Sequence, residues 1–115
     1  PALFITPDTN VYHGEASGPP LGVLEDAVWS DGNHILEPGS TVLYFTDGVV
    51  RARPPEEGAE EFGLARLWGV PEYSAVPTFL IEDVNNATRS YTHGAEPRDD
   101  CAMIALRYLG YENPY

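Results

Sequence analysis

Two aspartates, Asp47 and Asp99, are the residues of this 115-residue chain whose type and position could do chemistry. Asp47 closes the apolar run Thr41-Val42-Leu43-Tyr44-Phe45-Thr46 and is followed by Gly48. Asp99 and Asp100 come just before a second apolar run, Cys101 to Tyr108. In an antiparallel pair, the exit of one strand lies beside the entry of its neighbour. If these two runs are neighbours, acids far apart in sequence meet at one edge of a sheet. Carboxylates held together repel, and a divalent cation removes the repulsion. Hard, oxygen-only ligands suit Mg²⁺ or Mn²⁺ rather than zinc. The plainer alternative is that Asp-Gly after a strand is a turn, and that Asp99 and Asp100 cap or solvate a loop.

The other reactive side chains offer less. Cys101 is the single cysteine, so neither an internal disulfide nor a cysteine zinc site can form. It reads as a small buried residue. His13 and His34 fall in expected strands and His93 in a loop, with no ligand-like spacing among them. Trp29, Trp68, Tyr91 and Tyr108 read as core or half-buried packing residues.

The elements that must position the acids follow from local patterning. Pro1 to Thr6 and Thr9 to Gly14 read as short strands around a Pro-Asp turn. Ser17 to Pro20 is a loop. In Ala27 to Leu36, Asp31-Gly32 taken alone suggests a hairpin turn, and one irregular strand is the competing reading. Glu37-Pro38-Gly39-Ser40 has the residues of a type II turn. The Thr41–Thr46 run is apolar on both faces and is expected to be a central strand covered on both sides. Glu61 to Trp68 has helical spacing. From Pro77 a stronger helix places Leu80, Ile81, Val84, Ala87 and Tyr91 on one face. The order of strands, helices and a last strand gives an α+β fold with a mostly antiparallel sheet.

Composition narrows the function classes. The chain holds 18 acidic residues against 6 basic ones, for a net charge of −12, and every basic residue is Arg. Such a surface repels phosphate backbones and anionic lipids, which argues against nucleic-acid and membrane-surface roles. There is no signal peptide and no apolar stretch long enough to span a bilayer, so the cytoplasm is the expected compartment. The chain opens on Pro1 directly into a strand, as though cut from something longer.

Four blocks of residues resemble, in order, the SpoIIE-like serine/threonine protein phosphatase domains of the type 2C (PPM) family. Gly18-Pro19-Pro20-Leu21-Gly22 resembles the family's "GPPLG" segment. Leu36 to Arg53, containing Tyr44-Phe45-Thr46-Asp47-Gly48, resembles the "L-x-PG-D-x-L-x-x-YTDG-V-x-EAR" block. Glu61-Phe62-Gly63-Leu64-Ala65-Arg66-Leu67 resembles "E-x-FG-x-x-RL", and Arg98-Asp99-Asp100 with the following strand resembles the closing "Q-DD-x-T" block. The resemblance implies that residues 1–109 are the C-terminal portion of one phosphatase domain, with 110–115 as a tail. It implies part of an α-β-β-α sandwich with mostly antiparallel sheets, whose N-terminal half is missing here, and it implies that Ala27 to Leu36 is one strand. It also implies hydrolysis of phosphoserine or phosphothreonine on a protein, commonly a phosphorylated anti-sigma-factor antagonist in bacterial signalling. Two Mn²⁺ or Mg²⁺ ions, about 3.5–4 Å apart, activate a water for the attack. Asp47 and Asp99 would be metal ligands, with Asp100 and Gly48 in supporting positions.

Three departures from the family pattern bear on this. The motif that supplies a further metal-binding Asp has no match, so the fragment alone is expected to be inactive, and its open apolar faces favour a homodimer. The usual Thr after the Asp pair is Ala102. The usual acid before "AR" is Arg51, read as a surface residue or as a contact for an anionic substrate. A non-catalytic regulatory or protein-binding module with a degenerate phosphatase fold is the competing reading. A third, an unrelated acidic module, requires that the strands bearing Asp47 and Asp99 not be neighbours.

Overall fold

The computed structural model describes residues 1–14, 18–72 and 76–111. Ser17 of the expected loop and residues 112–115 of the expected tail lie outside the described residues. Four strands form one antiparallel sheet: β1 (Ala2–Ile5), β2 (Val11–His13), β3 (Thr41–Phe45) and β4 (Met103–Arg107), in the order β2-β1-β3-β4. Three helices, α1 (Asp47–Val50), α2 (Gly63–Gly69) and α3 (Pro77–Tyr91), and a 3-10 turn at Val70–Glu72 complete the elements among the described residues. The fold is α+β, as expected. The strands carrying the two acids are neighbours, so the unrelated-module reading loses its requirement.

Alternation along the strands decides which face is buried. Leu3, Ile5, Leu43 and Phe45 point to one side, where Val49, Phe62, Leu67, Val70, Leu80 and Val84 of the helical layer close the core. The molecule is thus a slab of one sheet and one helical layer, 59 × 42 × 20 Å. The other sheet face is open at Tyr44 and Ile104, although Val42 on it is buried. Tyr44 is 47% exposed and Ile104 60%, which corrects the expectation that β3 is covered on both sides. No second layer packs on that face among the described residues. His34 lies over this face, stacked on Phe4 at 4.2 Å.

Local chemistry explains the element ends. The turn before β3 is closed by Ser40 N–H donating to Glu37 O at 2.9 Å, and Gly39 takes the left-handed position with φ 90°. A type II turn demands glycine there. Pro77 starts α3, where its missing N–H costs nothing. The block at Glu61-Phe62-Gly63 is a structural anchor. Glu61 pairs with Arg53 at 2.8 Å, Phe62 is buried against the edge of Tyr91, and Arg66 lies 4.4 Å over the Tyr91 ring. The Tyr91 hydroxyl donates to Glu60 O at 2.8 Å, tying the end of α3 to this block.

Ala27 to Leu36 is not a strand. Only Ser30 forms an isolated bridge, and Val28 and Ile35 are 85% and 91% exposed. A strand needs a ladder partner or a buried face, and this segment's apolar side chains are not buried. His34 is therefore not a strand residue. Trp29, Trp68 and Tyr108 are more exposed than a core role requires, while Tyr91 is partly buried. The Trp29 ring instead covers Gly18, and its indole N–H donates to Pro19 O at 2.6 Å.

Candidate metal centre

The register of β3 and β4 sets the geometry of the acid-bearing edge. Phe45 is paired with Met103 at the last rung, so the chain leaving β3 at Thr46 and Asp47 faces the chain entering β4 at Cys101 and Ala102. Beyond the ladder three hydrogen bonds continue the pairing. Thr46 N–H donates to Ala102 O at 3.0 Å. The Thr46 hydroxyl donates to Asp100 O at 3.0 Å and accepts from Ala102 N–H at 3.0 Å. Thr46 stands at the N-cap position of α1, but its hydroxyl makes no cap and spans to the opposite segment instead. It holds the backbone directly after Asp99. Thr46→Val removes both side-chain bonds while keeping the shape, and is expected to lower stability by about 1–2 kcal/mol in urea denaturation of the full-length protein.

The chain after Asp47 does not simply turn. It coils into α1, with Arg51 N–H donating to Asp47 O at 2.9 Å. Sequence patterning missed this helix because four residues are too few to show a period. The coil presses Gly48 onto the other segment. A Cβ at Gly48 would collide with Asp100 O, and would lie 2.9 Å from both Asp100 C and the Cys101 Sγ. At Gly48 only hydrogen fits between the two acid-bearing segments.

The acids themselves are solvent-facing. Asp47 pairs with Arg51, one helical turn on, at 3.5 Å, and both side chains are 57% exposed. Pairs of this kind contribute about 0–1 kcal/mol. Asp99 and Asp100 are exposed in the bend before β4. Cys101 is exposed as well, not buried, because it precedes the strand rather than lying within it. Its Sγ nonetheless tucks beside Gly48. That partial burial, and then the charges of Asp99 and Asp100, push the thiol pKa above its usual value, so it is not a ready nucleophile.

The donors at this edge are carboxylate oxygens, which fit a hard cation. Mg²⁺-like ions are held by one or two carboxylates with water filling the remaining positions. Among the described residues no group of three or more His, Cys, Asp or Glu side chains could hold a metal ion. A larger cavity of about 650 Å³ lies elsewhere, on the open sheet face beside Phe4, Tyr12, His34 and Tyr44. It contains neither Asp47 nor Asp99, so its size does not make it the chemical site. No described helix is long and apolar enough to cross a membrane.

The family model described as Stage II sporulation protein E (SpoIIE) matches residues 1–109. Protein IcfG of Synechocystis sp. (strain ATCC 27184 / PCC 6803 / Kazusa) is 27% identical over 107 residues, covering 90% of this chain and 16% of IcfG. The chain thus spans about one sixth of that relative's length. No solved structure matches it.

Proposed function

Because the chain belongs to the SpoIIE family of type 2C-like phosphatases, we propose that it forms one side of the metal-dependent active site of a protein serine/threonine phosphatase. The observation that carries this reading is the meeting of the Asp47-Gly48 turn with the Asp99-Asp100 segment across β3 and β4. Asp47 and Asp99 would hold the ion through carboxylate oxygens. Asp100 and Gly48 would fix the spacing of the two segments. A bound Mn²⁺ or Mg²⁺ would supply charge shielding for the phosphoryl group and activation of water. The chain's own part is to hold the acids at one edge, outside the core, where a substrate phosphate can approach. Residues elsewhere in the full protein would complete the ligand set, which is why the isolated segment is proposed to be inactive. The finer reading takes a phosphorylated anti-sigma-factor antagonist as substrate, and a second copy of the protein as a partner for the open sheet face.

The test is Mn²⁺-dependent phosphate release from a phosphoserine peptide by the full-length protein. Absence of metal-dependent hydrolysis there would favour the non-catalytic module, which keeps the fold without the chemistry.

Arg51 offers a separate check. Its guanidinium stands beside Asp47 and opposes any cation placed there. Unit charges about 4 Å apart in water interact by about 1 kcal/mol, more for a divalent ion and less with distance. Arg51→Ala is therefore expected to tighten Mn²⁺ binding about 3- to 10-fold in calorimetric titration of the full-length protein. An unchanged or weaker affinity would mean that the ion does not sit at Asp47.

A further inference from the structure

The chain carries six basic residues, and three of them, Arg53, Arg89 and Arg98, line one cleft of about 300 Å³. Glu96 is the one carboxylate in that lining. In a chain with 18 acids, a guanidinium is expected to find an acid partner. Arg53 does, pairing with Glu61 at 2.8 Å. Neither Arg89 nor Arg98 has an ion-pair partner among the described residues. Arg89 alone could be explained by its place in the last turn of α3, where a cation offsets the helix dipole. Arg98 lies beyond that helix, in the segment leading to Asp99, and has no such role.

The position of the cleft matters as much as its charge. Gly48 and Cys101 form part of its wall. These residues follow Asp47 and Asp100 in the chain, so the cleft borders the acid-bearing edge. A peptide whose phosphorylated residue sat at that edge would place a neighbouring side chain in the cleft. At about 3.3 Å per residue in an extended chain, side chains a few residues away come within reach. Local positive potential focused in a concave site attracts anions even on an acidic protein. Two planar guanidinium forks suit a carboxylate, which can accept paired hydrogen bonds. The volume is at the small end of ligand-sized pockets, enough for one acidic side chain.

We infer that the cleft lined by Arg89 and Arg98 is a specificity subsite for an acidic side chain flanking the phosphorylated serine or threonine of the substrate. The inference rests on the phosphatase reading and adds a substrate class to it: phosphopeptides with Asp or Glu close to the phosphorylated residue.

The experiment uses the full-length protein and two fluorescein-labelled phosphoserine peptides, one flanked by Glu and the other by Gln. Binding is followed by fluorescence anisotropy and turnover by phosphate release with Mn²⁺. Wild type is expected to favour the Glu-flanked peptide about tenfold, in affinity and in kcat/KM. The R89Q/R98Q variant is expected to reduce that ratio to about 1. R98E is expected to shift preference toward a Lys-flanked peptide, a gain that a misfolded protein cannot produce. Wild type that does not distinguish the Glu- and Gln-flanked peptides, or a preference that survives R89Q/R98Q, would overturn the inference. Hydrolysis of para-nitrophenyl phosphate, which has no flanking residues, reports on the phosphatase reading separately. If that hydrolysis is absent while the arginine-dependent binding preference remains, the phosphatase reading fails and the anionic subsite stands.

Discussion

Asp99→Asn in the full-length protein is expected to lower Mn²⁺-dependent phosphate release at least about 100-fold, and Asp47→Asn to do the same. Losing a partner that only orients a metal ligand costs about 10- to 100-fold in affinity or activity, so losing a ligand itself should cost no less. The amide keeps the shape of the carboxylate but not its charge, and charge is what a hard cation needs from this edge. Both side chains are exposed and outside the core, so neither change should unfold the protein. That separates chemistry from stability: the unfolding free energy from urea denaturation should stay within about 0.5 kcal/mol of wild type while activity collapses. Raised Mn²⁺ concentration should restore part of the rate, because a weakened site fills at higher metal concentration. Equal rates for wild type and both variants would remove Asp47 and Asp99 from the mechanism and leave the regulatory-module reading in possession of the fold.

Gly48→Ala is expected to damage both the fold and the acid-bearing edge. The added carbon would meet the Asp100 carbonyl oxygen and sit 2.9 Å from both Asp100 C and Cys101 Sγ. Most of those atoms are backbone and cannot rotate away, so one of the two acid-bearing segments must shift. Overpacking of this kind costs about 1–3 kcal/mol, and a site pushed out of place by about 1 Å can lose about 100-fold in rate. Gly48→Ala should therefore lower the urea midpoint and also cut phosphate release about 100-fold at temperatures where the protein is still folded. Gly69→Ala is the matched control. Gly69 is also helical, and a Cβ there meets nothing within 4 Å. Alanine favours helix over glycine, so this change should be neutral or stabilising, with wild-type activity. A Gly48→Ala protein as stable and active as Gly69→Ala would show that the two segments are not in the close contact described.

Local patterning determined much of this protein. The period of α3, the proline that opens it and the glycine of the turn before β3 are consequences of nearest neighbours in the chain, and they emerged where expected. So did β3 and β4, because apolar runs bounded by turn residues identify themselves. Asp47 and Asp99 stood out because each borders such a run. Ala27 to Leu36 misled because the family resemblance implied a strand against the local Asp31-Gly32 turn signal, while a strand also needs a ladder partner or a buried face. Cys101 looked buried from its apolar neighbours and is exposed because β4 begins after it.

Only the tertiary structure decided how the acid-bearing edge is built. The α1 turn at Asp47, the Thr46 hydroxyl spanning to Asp100 and Ala102, and the hydrogen-wide gap at Gly48 all depend on β4 lying beside β3. The cleft that gathers Arg53, Arg89 and Arg98 likewise draws on a loop, a helix end and the approach to β4. Contacts between residues far apart in the chain leave no periodic trace in sequence. They arise from which faces bury each other, and that is settled only when the whole sheet and its helical layer close on one core.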